Sequence, residues 1–124
     1  MAFISNNGLK YYQFDTFPEA RVRQGIFTRR GGVSPQPCHS LNLGGNIGDL
    51  RENIIENRKR LFDSIGRPVH SLHDVWQIHS ARVIHADLPR GLNIEPIQAD
   101  AMITSNPEVT LYMRFADCVP IFLY

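Results

Sequence analysis

Cysteine and histidine are the residue types of this 124-residue sequence with the widest range of chemistry. There are two cysteines, Cys38 and Cys118, and five histidines. Thiolate and imidazole groups bind zinc, and a cysteine beside a histidine can act as a nucleophilic dyad. Spacing alone identifies neither kind of site here, since these residues are scattered and match no zinc-binding signature.

Two of these residues, His79 and Cys118, stand where functional sites are commonly built. His79 ends a predicted strand immediately before a turn, and Cys118 lies between Asp117 and a Val-Pro step. Pro120 cannot donate a backbone hydrogen bond, so we expect strand pairing to break near Cys118. Strand ends and the loops after them often carry function. Composition alone nevertheless favours a simpler interpretation, in which Cys118 is a buried thiol and Asp117 caps a turn.

One amphipathic helix is predicted between residues 49 and 66, where apolar residues recur at steps of three and four. Asp49 is the expected N-cap, Glu52 holds the capping-box position, and Gly66 is expected to end the helix. The inward-facing positions of this pattern are Leu50, Ile54, Asn57 or Arg58, Leu61 and Ile65.

Short strands are predicted on both sides of this helix. They are expected at residues 9–14, 25–30, 100–105 and 109–117, with two more between residues 73 and 87. The continuous apolar run VPIFLY, residues 119–124, is typical of a strand covered on both faces. Many strands beside a single clear helix indicate an α+β fold, in which a layered mixed sheet packs with helices.

A long glycine-rich loop precedes the helix. Residues 31–49, GGVSPQPCHSLNLGGNIGD, hold five of the nine glycines and two of the eight prolines. Loops of this length inside a compact domain are uncommon and are usually either functional or disordered. The loop is therefore a candidate part of any site.

Composition and charge argue against several classes of partner. The formal net charge is +1 and charged residues make up 20%, so neither nucleic acid nor a membrane surface is favoured as a partner. No apolar stretch approaches the roughly 20 residues that a membrane helix needs. The first residues, MAFISNNGLKYY, lack the charged and apolar regions of a signal peptide. We therefore expect a cytoplasmic protein whose cysteines are free thiols or metal ligands.

Three blocks of the sequence together resemble the laccase-domain or YfiH-like family, called polyphenol oxidase or multicopper oxidoreductase in older naming. The first block is residues 27–61, FTRRGGVSPQPCHSLNLGGNIGDLRENIIENRKRL. The second, WQIHS at residues 76–80, is similar to the family's Gln-Val-His-Gly, with Ser80 where Gly is common. The third, residues 98–124, is similar to its Ala-Asp-Ala and Ala-Asp-Cys-Val-Pro runs, although residues 114–115 are larger than usual.

The resemblance implies a YfiH-like fold and a zinc-dependent purine nucleoside phosphorylase, with adenosine deaminase and methylthioadenosine phosphorylase as further activities. The zinc ligands carried over are His79 and Cys118, which would also be catalytic. Asp117 is the third catalytic candidate, because it could orient a ligand or accept a proton. The family's remaining histidine ligand is expected beyond residue 124. Residues 1–124 would then be the N-terminal part of a single YfiH-like domain, with little or no activity alone.

The substrates implied by the resemblance are a purine nucleoside and phosphate, and phosphorolysis needs an anion site. Arg29 and Asn42 in the glycine-rich loop, with Arg58 on the predicted helix, are the candidate substrate-binding residues. Surface solvation is the competing explanation for both arginines.

Three alternatives remain open from the sequence. One is a cysteine hydrolase or deamidase that uses a Cys118–His79 dyad. Another is a copper phenol oxidase, which would need several histidines around a copper cluster, and the sequence has no His-x-His pair. The third is a non-catalytic chain whose exposed strand edges bind a partner chain or a second copy of itself.

Overall fold

A computed structural model describes residues 2–124, which combine short strands with one α-helix and so confirm the α+β class. These residues form two compact units, residues 2–66 with 115–124, and residues 67–114. The elements are β1 (Ala2–Asn6), β2 (Leu9–Gln13), β3 (Ile26–Phe27), α1 (Arg51–Ser64), a 3-10 turn (Val69–Ser71), β4 (Leu72–Trp76), β5 (Val83–His85), β6 (Ile97–Gln98), β7 (Ala101–Ile103) and β8 (Thr110–Tyr112).

The first unit opens with an antiparallel sheet of β1, β2 and β3. Asn7 and Gly8 link the first two strands with φ values of 50° and 79°, as in the hairpin turns that Asn-Gly favours. β2 and β3 confirm two predicted strands, although β3 is shorter than predicted. β1 is absent from the sequence prediction, because only its pairing with β2 makes this partly exposed segment a strand.

Helix α1 confirms the predicted amphipathic helix, except that Leu50, an expected inward position, precedes the helix and is 66% exposed. It buries Ile54, Leu61 and Phe62 in the core of the first unit. Gly66 follows it at φ 66°, and its N–H donates to the carbonyl of Asp63, as expected for a helix end.

The predicted N-cap of α1 is wrong. The N-cap residue is Leu50, and no side chain caps the helix there, so Glu52 completes no capping box. The Asp49 carboxylate accepts hydrogen bonds from the Leu50 N–H and from the side chain of Asn53 instead. The Asp49 carboxylate also accepts hydrogen bonds from Ser34 and Asn42, so it binds the glycine-rich loop and does not act as the N-cap.

The second unit is built from parallel strands. β4 lies between β6 and β8, and β5 pairs with β7. The two strands predicted between residues 73 and 87 are β4 and β5, which lie in different sheets. Inside this unit the buried Arg90 guanidinium donates to the buried Asp74 carboxylate of β4.

The predicted strand at residues 119–124 is wrong for this structure. These residues have no regular secondary structure, and Val119, Ile121 and Leu123 are 81%, 78% and 92% exposed. A strand requires a neighbour for its backbone hydrogen bonds, and within residues 2–124 none of the sheets includes this segment.

Among the described residues, no helix combines the length and the apolar character needed to cross a bilayer.

Candidate functional site

The strongest functional geometry of the second unit is the loop that carries His79. β4 ends at Trp76, and the chain then turns through residues 77–82 before β5 begins. His79 has φ 57°, in the left-handed region that residues with a Cβ rarely adopt. Its side chain is exposed and has no hydrogen-bond partner within residues 2–124. The loop therefore holds His79 in an uncommon backbone conformation and leaves its imidazole exposed to solvent.

Asp100 holds this loop in place. Its carboxylate accepts hydrogen bonds from the backbone N–H groups of Ile78, His79 and Ser80 at 3.1, 2.8 and 2.8 Å. The Ser80 hydroxyl adds a fourth at 2.7 Å. This hydroxyl is the main cause that lowers the pKa of Asp100 below its ordinary 3.8, and the three N–H groups act in the same direction. Asp100 therefore stays ionised and bound to the loop at neutral pH.

Cys118 belongs to the first unit, in a bend at residues 116–118. Its thiol is free and exposed, and the neighbouring Asp117 is exposed as well. The interpretation of Cys118 as a buried thiol is therefore wrong. An accessible thiol suits both a metal ligand and a nucleophile.

The glycine-rich loop is ordered by one buried amide. Asn57, on the inner face of α1, is fully buried, and its side chain accepts a hydrogen bond from the Val33 N–H at 2.8 Å. It donates to the Ser34 hydroxyl and to the carbonyls of Ser40 and Asn42, at 2.9, 3.2 and 2.8 Å. One amide thus binds four points of the loop and fixes it against the helix.

Two glycines of this loop allow close backbone contacts. A Cβ on Gly32 would lie 2.1 Å from the Ser40 carbonyl oxygen, and one on Gly31 would lie 2.3 Å from that of Gly8. Any side chain at either position would force the backbone apart. The glycines therefore serve loop packing, which is a structural reason for the pattern seen in the sequence.

Asp49 is the second organiser of the glycine-rich loop. Its carboxylate accepts hydrogen bonds from the Ser34 hydroxyl and the Asn42 amide at 2.5 and 2.9 Å, and from the Asn53 amide at 2.8 Å. The bonds from Asn53, Ser34 and Asn42, in that order, lower the pKa of Asp49 from 3.8 to about 2. The carboxylate is consequently charged throughout the physiological range.

Arg29 and its neighbours form the cationic surface of the first unit. A surface cavity of about 560 Å³ is lined by Arg29, Arg30, Gly31, His39 and Ser40. The Arg29 guanidinium donates twice to the His39 carbonyl, at 2.9 and 2.6 Å, which orients it. Two arginines and a histidine that line one cavity are residue types that suit an anion such as phosphate.

The other two predicted substrate-binding residues take part in loop structure. The Asn42 amide bonds to both backbone groups of Gly44 and to Asp49. Arg58 on α1 donates to the Leu43 carbonyl at 3.3 Å, and its buried Nε has no partner within residues 2–124. Their substrate-binding roles stay predictions.

Sequence reasoning missed the role of Asp100 and did not decide between Asn57 and Arg58 for the inner face of α1. Asp100 stands inside the motif that resembles the family's Ala-Asp-Ala run, but the motif does not say which loop the carboxylate holds. Within residues 2–124 no three or more His, Cys, Asp or Glu side chains are grouped so that they could hold a metal ion.

Residues 23–124 match the family described as multi-copper polyphenol oxidoreductase laccase. The chain is 36% identical over 103 residues to a purine nucleoside phosphorylase of Mycobacterium tuberculosis, covering 83% of this chain and 40% of that protein. It is 32% identical over 132 residues to a purine nucleoside phosphorylase of Staphylococcus epidermidis, covering 98% of this chain and 48% of that protein. The chain therefore spans less than half the length of these relatives.

Solved structures show the same fold. The chain is similar to YlmD from Geobacillus stearothermophilus, with a TM-score of 0.80 and 28% identity, over 94% of this chain and 45% of that one. It is also similar to the hypothetical protein YfiH of Bacillus licheniformis, with a TM-score of 0.78 and the same identity and coverage. These similarities confirm the YfiH-like fold implied by the sequence blocks.

Proposed function

The chain belongs to the multi-copper polyphenol oxidoreductase laccase family, also called YfiH-like, and from this membership we propose that it contributes to phosphorolysis of purine nucleosides. The observation that carries the proposal is the 36% identity, over 83% of this chain, to a protein named purine nucleoside phosphorylase. Adenosine deamination and methylthioadenosine phosphorolysis are proposed as secondary activities, since both act on the same purine scaffold.

We assign the anion subsite for phosphate to the cavity beside Arg29. Phosphate carries between one and two negative charges at neutral pH, and planar guanidinium groups bind its oxygens in pairs. Arg29 is oriented by the His39 carbonyl, while the exposed Arg30 lines the same cavity. These features support an anion site more directly than Asn42 or Arg58 does, whose polar groups bind the loop.

We assign zinc binding to His79 and Cys118. An imidazole and a thiol are donor types that zinc prefers, and both side chains are exposed and uncommitted within residues 2–124. At least one further ligand would be required, because zinc sites hold three or four protein ligands. When bound, zinc supplies Lewis-acid polarisation of the substrate. Asp117, beside Cys118, is exposed and free to accept a proton or to orient a ligand.

The phosphate subsite is tested by isothermal titration of inorganic phosphate into the 124-residue chain and into Arg29→Ala. Removing one of the two guanidinium groups should weaken phosphate binding by about tenfold or more, as expected for a charged hydrogen bond of about 1.5–3 kcal/mol. Arg21→Ala is the matched control, since Arg21 is exposed and its side chain makes no contact with the cavity. Equal affinities for wild type and Arg29→Ala would refute the subsite.

The reaction class is tested with inosine and adenosine, in the presence and absence of phosphate, by following release of the free base. Phosphorolysis predicts release only with phosphate, together with ribose 1-phosphate as the second product. Base release that continues without phosphate would instead identify a hydrolase.

A Cys118–His79 dyad is the second candidate, favoured by the exposed free thiol of Cys118. Stoichiometric zinc in the purified protein that is lost in Cys118→Ser would support the metal site. Rapid alkylation of Cys118 with loss of activity in metal-free protein would support the dyad.

Three features of the sequence interpretation stay predictions. These are the cytoplasmic location, the absence of nucleic-acid and membrane partners, and self-association through exposed strand edges.

A further inference from the structure

We propose that Asp100 is the positioning residue for His79: its carboxylate binds the backbone on both sides of the imidazole and fixes the direction in which His79 meets a metal ion. The inference rests on the proposed function only in taking His79 as a ligand. The conformational part stands on contacts within the second unit.

The first observation is the way the carboxylate is used. Three consecutive N–H groups, those of Ile78, His79 and Ser80, converge on the two oxygens of Asp100 within 3.1 Å. Successive N–H groups that point into one concavity form an anion-binding nest, and here the anion belongs to the protein. Because the nest is centred on His79, the carboxylate controls that residue's backbone.

The second observation is the conformation that results. His79 has φ 57° and is one of two non-glycine residues with positive φ in residues 2–124. The other, Asn7, belongs to a hairpin turn and is a residue type that tolerates this region. Histidine enters this region more often than most residues with a Cβ, but the conformation is still uncommon, and in His79 the three N–H contacts of the nest hold it.

The third observation is that the loop is bound in the reverse direction as well. The N–H groups of Asp100 and Ala101 both donate to the Arg82 carbonyl, at 3.0 and 3.2 Å, and the Ala99 N–H donates to the Trp76 carbonyl at 3.0 Å. Trp76, the last residue of β4, and Arg82, the last residue before β5, are therefore both hydrogen-bonded to residues 99–101. Asp100 lies at the centre of this anchor.

Ser80 strengthens the nest through its side chain as well as its backbone. Its hydroxyl donates to Asp100 and accepts a hydrogen bond from the Arg82 N–H at 3.2 Å. The hydroxyl thus links the nest to the end of the loop. Ser80 makes these contacts without adopting a positive φ.

The arrangement leaves the His79 side chain free while its backbone is held. A ligand whose backbone is fixed before the metal arrives loses less conformational freedom on binding, and supporting residues of this kind typically change metal affinity by about 10- to 100-fold. Asp100 never needs to touch the metal to have this effect.

The test compares the 124-residue chain with Asp100→Ala, Asp100→Asn and Asp87→Asn. Asp87 is the matched control, because it is an exposed carboxylate of the same unit that pairs with His85 and does not contact residues 78–80. Two quantities are measured: the NMR coupling constant that reports φ of His79 with amide exchange at residues 78–80, and the apparent Kd for Zn²⁺ followed by the shift of the His79 ring protons.

We expect Asp100→Ala to keep the global fold, to release His79 to negative φ with faster exchange at residues 78–80, and to weaken Zn²⁺ binding by about 10- to 100-fold. Asp100→Asn retains an accepting oxygen and should fall between wild type and Asp100→Ala. Asp87→Asn should match wild type in both measurements.

Two results would overturn the inference: positive φ and slow exchange that survive in Asp100→Ala, or a Zn²⁺ affinity that the substitution leaves unchanged. A wild-type chain that binds no Zn²⁺ while Asp100→Ala still releases His79 would contradict the zinc proposal and sustain the role of Asp100 in positioning the loop. Failure of one proposal is thereby distinguished from failure of the other.

Discussion

Asp49 and Asp100 are two loop carboxylates that each accept four hydrogen bonds, but from different kinds of donor. Asp49 binds three side chains and one backbone N–H, whereas Asp100 binds three backbone N–H groups and one side chain. The donors to Asp49 are Ser34, Asn42, Leu50 and Asn53. The donors to Asp100 are Ile78, His79 and Ser80, the last through both its N–H and its hydroxyl.

Asp49 stabilises the fold of a whole loop, whereas Asp100 sets the backbone conformation of one residue, His79. Asp49 and the fully buried Asn57 both bind Ser34 and Asn42, so the glycine-rich loop is part of the core of its unit. The loop of His79 lies at the surface, and its contacts with Asp100 are solvent-accessible. We therefore expect substitutions in the first network to lower the free energy of unfolding and substitutions in the second to change mainly the local geometry.

The largest effect is expected at a buried carboxylate of the second unit, Asp74. It is 2% exposed and paired with Arg90, so Asp74→Ala leaves a buried guanidinium without its partner and should cost about 3–5 kcal/mol of unfolding free energy. Urea denaturation measures the loss. Asp87→Ala, which breaks an exposed pair, should cost less than about 1 kcal/mol. Equal losses for the two variants would show that burial does not separate these carboxylates.

Asn57→Ala should have the next largest effect, about 2–4 kcal/mol. The substitution leaves the Val33 N–H and three oxygens of the loop without their buried partner, and each unsatisfied group costs about 1–3 kcal/mol without full additivity. Thermal and urea denaturation measure it. Asn46→Ala, at an exposed position of the same loop, is the control and should stay within about 0.5 kcal/mol of wild type. If Asn57→Ala lowered the unfolding free energy as little as Asn46→Ala does, the loop would not be part of the core.

Two serines compare the networks directly, since each donates its hydroxyl to one of the carboxylates. Ser34 is buried and also accepts from Asn57, so Ser34→Ala should cost about 1–2 kcal/mol. Ser80 is exposed, and Ser80→Ala should cost about 0.5 kcal/mol or less because water replaces the hydroxyl. The midpoints of urea unfolding for the two variants measure this difference in stability. A reversal of this order would contradict the distinction between the loops.

The last prediction concerns the charge of Asp49, whose contribution to stability is constant near neutral pH and changes only in acid. Its pKa is lowered to about 2 in the folded protein, against an ordinary value of 3.8. The stabilisation from its ionised form is therefore complete above about pH 4 and is lost as the pH falls towards 2. The melting temperature of wild type should fall more steeply than that of Asp49→Asn over this interval. Parallel curves for the two proteins would show that Asp49 contributes nothing through its charge.

The parts of the fold that follow local patterns were predictable from sequence. Helix α1 follows a periodicity of three and four residues and ends at Gly66, as its composition indicates. The sequence pattern left Asn57 and Arg58 as equal candidates for the inner face. The structure places Asn57 inside, because its amide satisfies four loop groups that an apolar side chain would leave unpaired.

The parts of the fold that depend on tertiary contacts were not predictable from sequence. Nothing local marks Asp100 as the partner of residues 78–80, about twenty positions earlier in the chain, because an aspartate between two short strands is also common in turns. Strand β1 likewise depends on β2. The apolar run at residues 119–124 shows the converse: hydrophobicity predicts burial, but strand formation requires a neighbouring strand. For the candidate site, position along the strand singled out His79, and only the structure showed what holds it.

The positive φ of His79 determines how the imidazole should be removed. Alanine keeps a Cβ and would remain strained at φ 57°, so His79→Ala would remove the ring and favour a rearranged loop at the same time. Glycine adopts this region freely, so His79→Gly deletes the ring while leaving the backbone trace in place. A mutagenesis study that uses alanine alone would thus attribute to the imidazole a loss that belongs in part to the backbone.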